Sequence, residues 1–140
     1  MANIIIVGVD GSDTARKAAQ TAAELAVATG ATLHVLTAFD KAEIEQIEVG
    51  GDTWDVSSYD EAESVADGAA QTLKDTGAII EVSASHGKPA DALVEKAKSL
   101  DARLIVVGNR RVQGIGRLLG SVASSVAQHA PCDVYIVKTV

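Results

Sequence analysis

At 140 residues, 47% of them hydrophobic and 22% charged, the chain has the length and balance of one globular domain and not of a disordered segment. Its net charge of −7 argues against nucleic-acid binding, which needs a basic face, and no apolar run approaches the roughly 18 residues of a membrane-spanning helix. The lone cysteine, Cys132, excludes an internal disulfide and a multi-cysteine metal site.

Residues Ile4 to Val9 (IIIVGV) form a continuous apolar run, the pattern of a strand buried on both faces. The run is too short for a signal-peptide core and lacks a basic flank, so a cytoplasmic location is expected. Ser12 is placed to cap a first helix whose stripe is Ala15, Ala18, Ala19, Ala22, Leu25 and Ala26, with Gly30 as its stop. Leu33 to Phe39 reads as a second strand. An acidic stretch follows: between Asp40 and Asp67 ten carboxylates face one lysine, Lys41, which reads as a solvated surface. The part from Asp40 to Ser57 is long for a loop, a length that suits mobility or function.

Ser58 with Glu61 forms a capping-box pattern that predicts the start of a second helix, with Ala62, Val65, Ala66, Ala69 and Leu73 as its buried stripe and Gly77 as its end. Ile79 to Ala84 predicts a third strand. Pro89 suits the first turn of a third helix with the stripe Leu93, Val94, Ala97 and Leu100. Arg103 to Val107 predicts a fourth strand ended by Gly108. Val122, Val126 and Ala130 mark a fourth helix closed by Pro131, and Asp133 to Val137 a last strand. Alternating strands and helices demand crossover connections. The expected fold class is therefore α/β, one Rossmann-like domain over 1–140 with an open, mostly parallel five-stranded sheet and helices on both faces. Ligands of such sheets bind beyond the carboxyl ends of the strands, where the strand order reverses.

The segment Gly108 to Ser121 (GNRRVQGIGRLLGS) leaves a strand, passes through Gly108, Gly114, Gly116 and Gly120, and enters a helix. Glycines let a ligand approach the backbone, and the free amides and dipole of a helix start make an anion site. Ser121 adds a hydroxyl donor. Three of the five arginines, Arg110, Arg111 and Arg117, lie in this segment and can make charge-assisted bonds to phosphate. The alternative is a glycine-rich connection whose arginines face water. Neither a GxxxxGK[ST] loop nor a dinucleotide GxGxxG is present.

With VGVDGS ending at Ser12, GKPADALVEKA at Gly87 to Ala97 and VVGNRRVQGIGRLLGSVASSVAQHAPCDVYIV at Val106 to Val137, the chain resembles the universal stress protein family over essentially its full length. Nucleotide-binding members of that family look like G-x2-G-x9-G-[ST]. The matching positions here are Gly108, Arg111, Gly120 and Ser121. Arg111 stands in place of a glycine, and only Val112 to Leu119 separate it from Gly120. That arginine either blocks close backbone approach or supplies a guanidinium to the phosphates.

The resemblance implies the rest of a pocket: Asp10 near base and ribose, Gly8 and Val9 lining the cleft, Ala38 reading the adenine edge, Val107 beside the base, and Val122 and Ala123 near the phosphates. From the residues alone, Asp10 can equally help Ser12 cap the first helix, and the two roles are compatible. The implied ligand is ATP or AMP, with cyclic AMP also admitted and Mg2+ accompanying ATP.

His34, His86 and His129 show no metal-ligand spacing, and Cys132 reads as a small buried thiol. The apolar final strand needs covering, and in the family such a strand often pairs with its copy, which suggests a homodimer. The leading expectation is a nucleotide-binding stress-response regulator. The alternatives are a nucleotide-independent protein acting through protein contacts and a slow ATPase or phosphotransfer enzyme, for which Asp10 is the only candidate acid.

Overall fold

In the computed structural model the described residues are 1–39, 54–109 and 120–139. Strands β1 (Ala2–Gly8), β2 (Thr32–Phe39), β3 (Ile79–His86), β4 (Ala102–Asn109) and β5 (Asp133–Lys138) alternate with helices α1 (Asp13–Thr29), α2 (Trp54–Leu73), α3 (Pro89–Leu100) and α4 (Ser121–His129). The strands form one parallel sheet in the order β3-β2-β1-β4-β5. From β1 the chain builds outward to β2 and β3, then returns to add β4 and β5 on the other side. The order therefore reverses between β1 and β4.

Two apolar layers cover the sheet. On one face Ile5, Val7, Leu33 and Val35 meet the alanine stripe of α1 (Ala18, Ala19, Ala22, Ala23, Ala26) and Ala66 and Leu73 of α2. On the other, Ile6, Leu36, Ile105 and Val107 meet Leu93 and Ala97 of α3 and Ala123 and Val126 of α4. With aromatics at 3%, the layers rest on alanine and branched aliphatics, and five alanines of α1 are buried without a side chain longer than a methyl. That lets the helix lie close to the sheet.

The local signals act largely as expected. Ser12 caps α1, its Oγ accepting the Ala15 N–H at 3.1 Å, and Gly30 closes the helix in the left-handed region at φ 71°. Pro89 sits in the first turn of α3, and Gly77 ends a short 3-10 turn (Lys74–Thr76) after α2.

Three expectations need correction, one being the third strand, which runs past Ala84 to His86 because Ser85 and His86 still pair with β2. The second helix already runs from Trp54, so Ser58 lies inside it and not at its start. No glycine or proline stands between Trp54 and Ser58 to stop a helix from extending backward, and a capping pattern is only a local preference. Nor does Gly108 end the fourth strand. It pairs with Val137, and Asn109 beyond it pairs with Lys138, so ladder pairing to β5 carries the strand two residues past Val107.

Candidate functional site

A cavity of about 190 Å3 opens beyond the carboxyl ends of β1, β2 and β4, at the reversal of strand order. Gly8 and Val9 leave β1 along its floor, Leu36 and Ala38 come from β2, and Val107 and Gly108 from β4. Pro89 and Leu93 of α3 and Val122 of α4 form one wall, while Asp10, Ser12, Thr14 and Ala15 form the other. Alternation explains the floor: Leu36 and Ala38 are two apart in a strand and so present one face.

Three helix starts meet this cavity, and they differ: that of α3 opens on Pro89, which has no N–H to offer. At α1 the donors are met from within: the Ser12 N–H donates to Asp10 Oδ1 at 3.0 Å, and Ser12 Oγ accepts from Ala15. Gly11, at φ 86°, supplies the turn between them. Asp10 thus shares in the capping arrangement while lining the cavity, so the two roles raised for it are compatible in one position.

At α4 the N-cap is Gly120, which offers no side chain, and no side-chain cap hydrogen bond is made. The first intrahelical bond runs from Ser124 N–H to the Gly120 carbonyl, so Ser121, Val122 and Ala123 carry the first-turn amides of the helix, which have no hydrogen-bond partner among the described residues. The Gly120 amide differs from these. It donates to Asn109 Oδ1 at 2.9 Å in a buried bond.

Asn109 is 6% exposed, and its carbonyl accepts Thr139 Oγ1 at 3.0 Å. The end of β4, the start of α4 and the tail of β5 are thereby tied at one point. The last tie continues outward, where Lys17 Nζ donates to the Thr139 carbonyl at 3.3 Å.

Of the residues singled out in the sequence, Gly8, Val9, Asp10, Ala38, Val107, Gly108 and Val122 line the cavity together. Gly120, Ser121 and Ala123 stand at the adjoining helix start without lining it, Ala123 being buried in the sheet-facing layer. Arg110, Arg111 and Arg117 lie outside the described residues. Sequence reasoning missed Ser12, Thr14 and Ala15 as lining residues, although their place in the first turn after Asp10 was a usable signal. It also missed Leu36, Pro89 and Leu93, which read only as core or helix-start residues.

Cys132, expected to be buried, packs against the α3–α4 layer but remains partly exposed, and burial followed by the Asp133 charge pushes its thiol above the ordinary value. That disfavours the thiolate, as expected of an unreactive cysteine. Among the described residues, no group of three His, Cys, Asp or Glu side chains could hold a metal ion, and no helix is long and apolar enough to cross a membrane.

The family model described as "Universal stress protein family" matches residues 1–138. The chain belongs to the universal stress protein family. It is 29% identical to the universal stress protein YxiE of Bacillus subtilis, covering 99% of this chain and 100% of that protein. Among solved structures, a universal stress protein in complex with cAMP is 33% identical with a TM-score of 0.79, covering 98% of this chain and 97% of its own. A universal stress protein of Archaeoglobus fulgidus in complex with dAMP is 26% identical with a TM-score of 0.71, covering 99% and 98%. The parallel α/β sheet is thus the fold of the universal stress proteins, and members similar to this chain have been seen with adenine nucleotides.

Proposed function

We propose that this universal stress protein binds an adenine nucleotide in the cavity at the strand-order reversal and acts as a stress-response regulator. The observation that carries the reading is the pairing of an apolar-floored cavity with a helix start whose first-turn amides have no side-chain cap. The phosphate belongs at Ser121, Val122 and Ala123, where amides and helix dipole favour an anion. The base belongs at the apolar end, between Ala38, Val107, Pro89 and Leu93, where it leaves water for an aliphatic slot. Asp10 stands in the wall beside the start of α1, fitted to accept from a ribose hydroxyl. The complexes of similar proteins with cAMP and dAMP support this class of ligand.

Binding is favoured over turnover. Asp10 is the one carboxylate among the described lining residues, and its Oδ1 already accepts the Ser12 N–H. Phosphoryl transfer needs a positioned base or a metal-holding acid at the phosphate end, and Mg2+ accompanying ATP would find only Asp10 among those residues. A second reading, a nucleotide-independent protein acting through protein contacts, draws on the Gly120 amide, which is already occupied by Asn109. A second copy pairing along β5, where Tyr135 is 45% exposed, suits either reading.

Denaturing the purified protein and identifying released nucleotide by mass spectrometry, followed by calorimetric titration of ATP, AMP and cyclic AMP, separates the two. Heat that disappears in Gly120→Glu supports the nucleotide reading. No heat with any of the three supports the second.

A further inference from the structure

On the sheet face opposite α1, three polar side chains of β2 and β3 that do not line the cavity lie side by side. His34 is 7% exposed, and its Nε2 lies 2.7 Å from Ser83 Oγ. Its Nδ1 lies 3.6 Å from Glu81 Oε1, and among the described residues it has no hydrogen-bond partner although it is buried. The parallel register explains the arrangement: His34 pairs with Glu81, and Ser83 follows two residues later on the same face of β3. The imidazole therefore lies between a carboxylate and a hydroxyl. Ser83 and Glu81 sit on the outer strand, where α3 packs mainly over β1, β2 and β4. Ser83 stays partly exposed, and the Glu81 side chain is 59% exposed.

We propose that Ser83 is a nucleophilic serine that accepts an acyl group from small, activated carboxylic esters, with His34 as its general base and Glu81 orienting the imidazole. A bare Nδ1 lone pair facing a carboxylate at 3.6 Å is repulsive, so the ring proton sits on Nδ1 and Nε2 accepts from the serine hydroxyl. This is the wiring that activates a serine: nucleophile to base within hydrogen-bond reach, and base to a third, orienting group. The long Nδ1 distance has a place in it, because such contacts tighten once the imidazole becomes cationic.

In the step itself, Ser83 Oγ bonds to the ester carbonyl carbon and its proton passes to His34 Nε2. The bond from that carbon to the leaving oxygen then breaks, and the departing alkoxide takes the proton from Nε2. The products are acyl-Ser83 and an alcohol, with His34 neutral again. Burial, and after it the nearby Lys96 ammonium, hold His34 below its ordinary value against the opposing pull of Glu81, so the ring is a neutral base at neutral pH.

The test uses the intact protein with p-nitrophenyl acetate and, separately, a fluorophosphonate, whose P–F bond gives way to a P–O bond to Ser83 with release of HF. Adducts are located by peptide mass spectrometry. Ser85, two residues along the same strand with no histidine bonded to it among the described residues, is the internal control. The expected result is a dominant adduct at Ser83, forming about 100-fold more slowly in His34→Gln and more slowly in Glu81→Gln. Because Glu81 is largely exposed, that second variant keeps the fold and decides the case should His34→Gln not fold. The rate rises with pH through the titration of His34, and Lys96→Met moves that rise to higher pH, since one of the charges holding His34 down is gone. Equal labelling of Ser83 and Ser85, or a Ser83 rate unchanged in Glu81→Gln and unmoved along the pH axis by Lys96→Met, overturns the proposal.

Discussion

Asn109 and Gly120 are 11 residues apart in sequence and joined by one buried hydrogen bond of 2.9 Å, from the glycine amide to the carboxamide oxygen. It fixes where the α4 amides point, because it holds the helix N-cap against the end of β4. It also fills the cap amide with a neutral acceptor, so an anion is left to the three amides that follow.

Replacing Asn109 therefore separates scaffold from site. Asn109→Ala leaves a buried N–H without a partner and is expected to cost about 1–3 kcal/mol of stability, read by urea unfolding. Asn109→Asp keeps an acceptor for Gly120 but sets a negative charge beside the proposed phosphate position. Its stability should stay closer to that of the parent. Its AMP affinity should fall about tenfold or more while adenosine, which lacks phosphate, binds as before. Equal losses for AMP and adenosine would place the phosphate elsewhere.

Two glycines of the cavity floor should respond differently to an added methyl. At Gly8 a Cβ would lie 3.2 Å and 3.3 Å from the two terminal methyls of Leu93, a side chain that can turn. Leu93 lines the cavity, so Gly8→Ala should weaken nucleotide binding while changing stability by about 1 kcal/mol or less. At Gly108 the methyl would meet Thr14 Cγ2 at 3.2 Å, Thr139 Cγ2 at 3.3 Å and the Thr14 carbonyl oxygen at 3.3 Å. Backbone yields less readily, and Gly108→Ala should cost about 1–3 kcal/mol, measured by urea unfolding beside calorimetric titration.

His34 makes stability depend on pH in a defined direction. Its folded-state value is lowered from 6.5, first by burial and then by Lys96. As pH falls below 6.5 the unfolded chain takes up this proton before the folded one. The stability contributed by the neutral ring is therefore full above 6.5 and declines on acidification. Urea midpoints from pH 7.5 to 5.5 should fall in the parent and fall less steeply in His34→Gln. An identical slope in both would assign the pH dependence to other groups.

The sequence carried the fold because its signals were local and mutually consistent. Alanines at helical spacing in α1, the apolar run of β1, Ser12, Gly30 and Pro89 each specify what the structure forms at that position. The start of α2 was not legible, since the Ser58 pattern competes with a helix that nothing upstream interrupts. Of the cavity floor, Gly108 stood out in the sequence by its glycine-rich segment, whereas Gly8 and Ala38 were named only through the family resemblance. The bond from Asn109 to Gly120 was not legible: it depends on the fold bringing a strand end to a helix start, and an asparagine beside a glycine-rich segment has no periodicity to reveal its partner. The His34–Glu81–Ser83 group was hidden for a similar reason, because only the β2–β3 register places the three side by side.

The account rests on the α4 amides receiving a phosphate, and amide-resolved NMR titration with AMP tests this directly. The expected result is that the Ser121, Val122 and Ala123 amides shift most, and downfield, as they gain a charged acceptor, with the Gly120 amide changing less because Asn109 already holds it. AMP that leaves these three resonances in place, whether it perturbs another surface or none, would contradict the account.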